Sequence, residues 1–338
     1  MLRRAFRYGD SREAQIQWDV AGPADWNTGS NWAGGVVPGV GSAGDQASVI
    51  NGGTADITTP APDILGFRIG AFAGGDVGTV NMSGAGSLRV TVFSSVGEVV
   101  IGTVNTSGNA SLQSENDNFS VGAGGGTGLL DMSGDSSFLH TAPGGPFRGL
   151  QIGRDLGAGG TMGTVRIRDN ASISAPNGIL ANGGEDAPFD GVGLLQVFGG
   201  NVSIDANQYQ QSALSTLELN VDGTGISPIV ATQVTATTGG GTNPTVALDG
   251  TLDVNFSLPP SLGASFTIID NQFTDAIGGV FATVNPSGLG AGQSLSINYA
   301  GGTGNDVVLT VTPEPSTAIL IAMGLAISGL RRRTVHWV

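Results

Sequence analysis

One unit returns through the middle of this chain and limits what it can fold into. IGAFAGGDVGTVNMSGAGSLRV (69–90) aligns with VGAGGGTGLLDMSGDSSFLH (121–140) and with IGRDLGAGGTMGTVRIRDNASIS (152–174). IGTVNTSGNASLQ (101–113) is a shortened copy, and GVGLLQVFGGNVSI (191–204) is a drifted one. The shared plan is Ile/Val-Gly, a Gly-rich loop, a short strand with two inward apolar residues, a polar turn and a second short strand. Val80 and Met82, then Leu88 and Val90, are the inward pairs of the first copy; Val165 and Ile167, then Ile173, are those of a later one. Ser-Gly turns recur at 83–84, 107–108 and 133–134. A unit of roughly 20–35 residues made of short strands cannot bury its apolar face alone and must stack on its neighbours. Stacked coils give an all-β fold, most simply a right-handed parallel β-helix, or β-solenoid. An antiparallel, barrel-like arrangement is the rival.

Composition agrees with many short strands and turns. Gly accounts for 58 of 338 residues, and it suits corners where the chain must take positive φ. Five segments follow. Residues 1–17 are an N-terminal tail, and 18–50 are Trp-rich, with Trp18, Trp26 and Trp32 among turn formers. Residues 51–212 carry the Gly-rich repeats. In residues 213–311 the strands lengthen and alternate, as in Leu252, Val254, Phe256 and Leu258; this section either continues the solenoid or caps it. Residues 312–338 form a distinct tail. A stack of strands needs covered ends to avoid edge-to-edge pairing, so the tryptophan-rich start is expected to cap the other end.

Charge excludes one class of partner. Between Trp18 and Val311 six arginines face 24 Asp and Glu, a balance of −18, and the chain has no lysine. Such a surface repels phosphate backbones, so nucleic acid is not expected as a partner. The absence of cysteine removes disulfides, thiolate catalysis and zinc–thiolate sites together.

The tail reads TPEPSTAILIAMGLAISGLRRR (312–333). Residues 316–330 are uncharged and apolar. As a helix they would reach about 22 Å, against a hydrocarbon core of about 30 Å, so this is a short transmembrane helix. Arg331, Arg332 and Arg333 would hold its far end in the cytoplasm. The β-rich body then lies outside the membrane.

Pro313, Glu314 and Pro315, the apolar segment and the arginine cluster, in that order at the chain terminus, resemble the PEP-CTERM sorting signal of Gram-negative bacteria. The resemblance implies recognition by an exosortase, a membrane-embedded cysteine peptidase that processes such tails near the Pro-Glu-Pro. It also implies passage through the inner membrane and association with exopolysaccharide or biofilm matrix. The repeats, with YAGGTGNDVVLTV (299–311), are similar to the passenger-type β-solenoids that often carry this tail. Proteins of that family begin with a signal peptide. Residues 1–17 hold no apolar stretch long enough for one, and an in-frame leader upstream of Met1 is the expectation.

Sites are few. GGTGNDVVL (301–309) matches the calcium nonapeptide of RTX proteins position by position, with Asp306 as the acidic ligand. Only one copy occurs, so a Gly-rich turn before the last strand is the preferred reading and calcium the weaker one. Cleavage of polysaccharide would need two carboxylates about 5–10 Å apart. Glu115, Asp117, Glu185, Asp186 and Asp190 are available without a catalytic spacing. His140 and His336 are the only histidines, and neither has a nucleophile elbow near it. Trp18, Trp26 and Trp32 either plug the end of a core or stack on sugar rings. The sequence therefore describes an exported, surface- or matrix-associated structural or adhesive protein, with no cofactor and no catalytic residues. The alternatives are a polysaccharide-binding module and a polysaccharide-degrading β-helix enzyme.

Overall fold

Alternation with period two shows where each strand hides its apolar side chains. In Gly78–Met82, Val80 and Met82 are buried, while Thr79 and Asn81 between them reach the surface. The same pattern recurs in Thr127–Met132, Met162–Ile167 and Thr216–Val221. These strands belong to a computed structural model that describes residues 15–71, 77–115, 118–141, 149–155, 157, 159–184, 191–232 and 244–314. Among the described residues the fold is all-β, and its one helical element is the 3-10 turn Gly29–Asn31.

Two sheets carry the strands, one of 16 and one of ten, and the chain visits them in alternation. Each sheet therefore gains strands in sequence order. The ten-stranded sheet is parallel from Pro23–Asp25 and Gly53–Ile57 through to Thr251–Phe256 and Thr283–Ser287. The larger sheet bends into two strips. Ser87–Val96 pairs through residues 87–90 with Ser111–Ser114, and through residues 94–96 with Phe119–Ala123. Ser172–Asn182 does the same, and its register against Ser203–Gln211 shifts between Ala175 and Ile179, where it turns the corner.

The three strips share one core. Register places Val80, Val104, Leu130, Val165, Leu195 and Leu217 in a single buried column. Each side chain so buried contributes about 1.5–3 kcal/mol. Beside it runs a column of glycines, Gly78, Gly102, Gly128, Gly163 and Gly193. The reason is close approach: a Cβ on Gly128 would meet Gly122 N at 2.1 Å and Val96 O at 2.2 Å. The Ser-Gly turns supply the other glycine requirement. Gly84, Gly108 and Gly134 sit at φ of 61°, 62° and 65°, one above another.

The ends are closed differently. At the first, Trp18, Trp26 and Trp32 are all buried. Trp32 packs edge-on to Trp18 and to Trp26, with ring centroids 4.9 and 4.6 Å apart, and its Nε1 donates to Trp26 O at 2.8 Å. The aromatic series continues inward through Phe67, Phe119 and Phe138.

At the far end the strand order changes direction. Thr216–Val221, Thr251–Phe256 and Thr283–Ser287 extend the ten-stranded sheet in parallel. Asp306–Pro313 then pairs antiparallel with both Ser265–Asn271 and Gln293–Gly301. The described residues between 213 and 311 thus continue the stack and then close it with a hairpin. One inward residue read from the sequence is corrected: Leu252, Val254 and Phe256 are buried, but Leu258 is 72% exposed. The strand ends at Phe256 because Pro259 and Pro260 follow, and proline cannot donate to a ladder.

No helix among the described residues is long and apolar enough to cross a membrane. The expected span at 316–330, with Pro315, Arg331, Arg332 and Arg333, lies outside the described residues, as does the tail before residue 15.

Candidate functional site

The outward positions of the ten-stranded sheet are as ordered as its core. Parallel register at about 4.8 Å per strand turns the Thr-x-Asn of the repeats into rows. Thr54, Thr79 and Thr103 form one row, which Thr164, Thr216, Thr251 and Thr283 continue with Leu129 and Leu194 interrupting it. Beside it Asp56, Asn81, Asn105, Asp131, Arg166, Gln196, Glu218, Asp253 and Asn285 form a second. Side chains in the second row bind along the stack. Asn81 Nδ2 donates to Asp56 Oδ1 and Asn105 Nδ2 to Asn81 Oδ1, each at 2.9 Å. Arg166 Nε donates to Gln196 Oε1 at 3.1 Å, and Gln196 Nε2 donates to Glu218 Oε2 at 2.8 Å. Arg168 and Arg166 both reach the Asp131 carboxylate, at 2.6 and 3.4 Å. On the other flank of the threonine row stand exposed aliphatic side chains, Ile101, Met162 and Val192.

Those residues singled out from sequence that the structure describes are scattered over the fold. Trp18, Trp26 and Trp32 present no open ring face, so the packing alternative describes them and sugar stacking does not. Asp306 is buried beneath the turn it was expected to serve. Its Oδ2 accepts from Thr303 N at 2.9 Å and its Oδ1 from Asn271 N at 3.1 Å. Both oxygens are engaged with the backbone, and among the described residues no group of three or more His, Asp or Glu converges as metal ligands. Gly302 holds φ of +54° beside this carboxylate, and a Cβ there would collide with Oδ2. Gly301 and Gly302 thus have a local packing reason, and Gly304 a conformational one, its φ being +108°.

Of the carboxylates considered for sugar cleavage, Glu115 alone lies among the described residues. Glu115 is bound by Arg89, with Nε to Oε1 at 2.8 Å and Nη2 to Oε2 at 2.7 Å, and Arg89 also pairs with Asp63. The hydrogen bonds to Glu115 and then Asp63 hold the Arg89 guanidinium even more firmly protonated than usual. Asp117, Glu185, Asp186, Asp190 and His336 lie outside the described residues. His140 is buried at the end of Ser137–His140, inside the stack.

The tail motif begins where the closing hairpin stops. Pro313 is the last residue of its strand, opposite Gln293, and Glu314 N donates to Gly292 O at 2.9 Å. Both side chains are exposed. In comparisons with protein families, with curated proteins and with solved structures, nothing matches the chain.

One feature of the outer surface had no counterpart among the expected sites. The residue after the second inward position is Ser83, Ser107 and Ser133 in the early repeats, then Arg168, then Phe198. Phe198 lines a groove with Asn220, Asp222, Asn255 and Ser257. The departure from serine was visible in the alignment, but its neighbours come from two later coils.

Proposed function

We propose that this chain is an exported, surface- or matrix-associated structural and adhesive protein. Its body is a right-handed parallel β-helix, and an exosortase sorts it through the PEP signal. The observation that carries this reading is the place of Pro313 and Glu314. The motif starts at the exit of the last strand, exposed, with no folded segment between it and the closing hairpin. A membrane peptidase acting there would meet extended chain at the boundary of a rigid body, and a cut after Glu314 would leave the closing hairpin's strand pairs intact. The body suits a mechanical role. Each coil is held by its neighbours on three strips, so load along the stack is shared by backbone ladders rather than by one interface. Its acidic surface keeps such a rod soluble and dispersed.

The test is replacement of Pro313, Glu314 and Pro315 together by alanine in the native host. The variant is expected to stay in the inner membrane at precursor size, while the parent chain is shortened and released. Equal processing of both would contradict the assignment.

A further inference from the structure

The groove under Phe198 has the ingredients of a sugar site, and it lies away from the tryptophans. Register sets Phe198, Asn220 and Asn255 side by side on the outer face of three successive strands of the ten-stranded sheet. Glu218 fixes both amides: its Oε1 accepts from Asn220 Nδ2 at 3.0 Å and from Asn255 Nδ2 at 3.3 Å. Asn255 Nδ2 also reaches Asn220 Oδ1 at 3.3 Å, and Ser287 Oγ donates to Asn255 Oδ1 at 2.7 Å. Their orientation is therefore set before any ligand arrives. Across the groove Asp222 is pinned through Oδ1 by Thr224 N at 2.7 Å and by Thr224 Oγ1. These hydrogen bonds hold its carboxyl below the usual carboxylate range. Gly199 keeps the floor open, because a Cβ there would meet Asp222 Oδ2 at 2.8 Å.

We propose that this groove binds one residue of an uncharged polysaccharide, with the C–H face of the sugar on the Phe198 ring and its hydroxyls on Asn220, Asn255 and Asp222. Three properties select that ligand. An aromatic face beside oriented amides and a carboxylate matches a molecule with one apolar face and a hydroxyl rim. The lining holds a carboxylate and no basic residue, so uronate, sulfate and phosphate groups are repelled. The cavity is about 270 Å³, below the range of roughly 300–1,000 Å³ found for drug-sized ligands, and this suits a single ring of a chain that continues along the open surface. The proposal rests on the reading of the protein as one that meets matrix polysaccharide. It is tested separately, since binding by purified protein needs no export and processing of the tail needs no sugar.

The experiment is affinity electrophoresis of the full chain in mild detergent. The gels carry mixed-linkage glucan, glucomannan or galactomannan, with polygalacturonate as the anionic control. At least one uncharged polymer is expected to retard the protein, and polygalacturonate is not. Phe198→Ala should weaken the apparent affinity by about fivefold to tenfold, the size of a lost aromatic contact. Phe198→Trp should preserve it, which separates a ligand contact from a folding defect, and Asp222→Ala should weaken it without altering the β-rich circular dichroism spectrum. No retardation in any uncharged polymer would overturn the proposal. So would retardation that Phe198→Ala leaves unchanged, or binding confined to polygalacturonate.

Discussion

Tyr209 is the largest polar side chain in the core, and it ties the stability of the fold to pH. It is wholly buried, and its hydroxyl donates to Gln211 Oε1 at 2.8 Å. Burial raises its pKa far above the ordinary phenol value of about 10, with Asn182 opposing in part. The folded protein thus keeps a proton that the unfolded chain releases near pH 10. Stability from this group is fully present below about pH 10 and is lost as pH rises from there toward the folded value. Tyr209→Phe should cost about 1–3 kcal/mol near neutral pH, because Gln211 loses its donor, and should flatten the alkaline fall. Part of the fall should persist, since burial also raises Tyr299, against a hydrogen bond from Phe281 N. Urea titrations from about pH 8 to about pH 11 would show this, and identical alkaline slopes for parent and variant would contradict it.

Strand elements are defined by what faces inward, and the glycine column shows how tightly. A methyl group at Gly128 would press on backbone atoms of Gly122 and Val96, neither of which can rotate away. Gly22 has nothing within 4 Å of the same added carbon. Gly128→Ala is therefore expected to cost about 3 kcal/mol or more, and Gly22→Ala to stay within about 0.5 kcal/mol. Comparable urea midpoints for the two would contradict the packing account. The inward residues of these strands were readable in the sequence, because a period of two states them directly: Val80, Met82, Leu88, Val90, Val165, Ile167 and Ile173 are all buried. The Ser-Gly turns were readable for the same reason, since only a left-handed residue closes them. Leu258 was misread because alternation continues in the letters after Phe256, while two prolines end the hydrogen bonding. The outer rows and the Phe198 groove were not legible. They join residues 22 to 37 positions apart, across Gly-rich loops of unequal length, and only strand register says which residues become neighbours.

Taken as a whole, the described residues form a stack closed at both ends. The tryptophan cluster seals the first end, and an antiparallel hairpin turns the last strands away from further parallel addition. Edges treated in this way limit uncontrolled growth of the sheets. On the proposed reading, an acidic body with closed ends, once its apolar terminus is cut away, would remain dispersed outside the envelope. The exposed ion pair of Arg89 with Asp63 adds little stability, since such pairs contribute about 0–1 kcal/mol, while the bidentate pair of Arg89 with Glu115 is half-buried. Stability comes from the buried columns and the ladders between coils. The most direct test is C-terminal mass spectrometry of the protein recovered from surface and matrix fractions of the native host. The expected mature chain ends within or beside residues 313–315 and lacks residues 316–338. Recovery only from the cytosol, with Val338 still its last residue, would contradict the account.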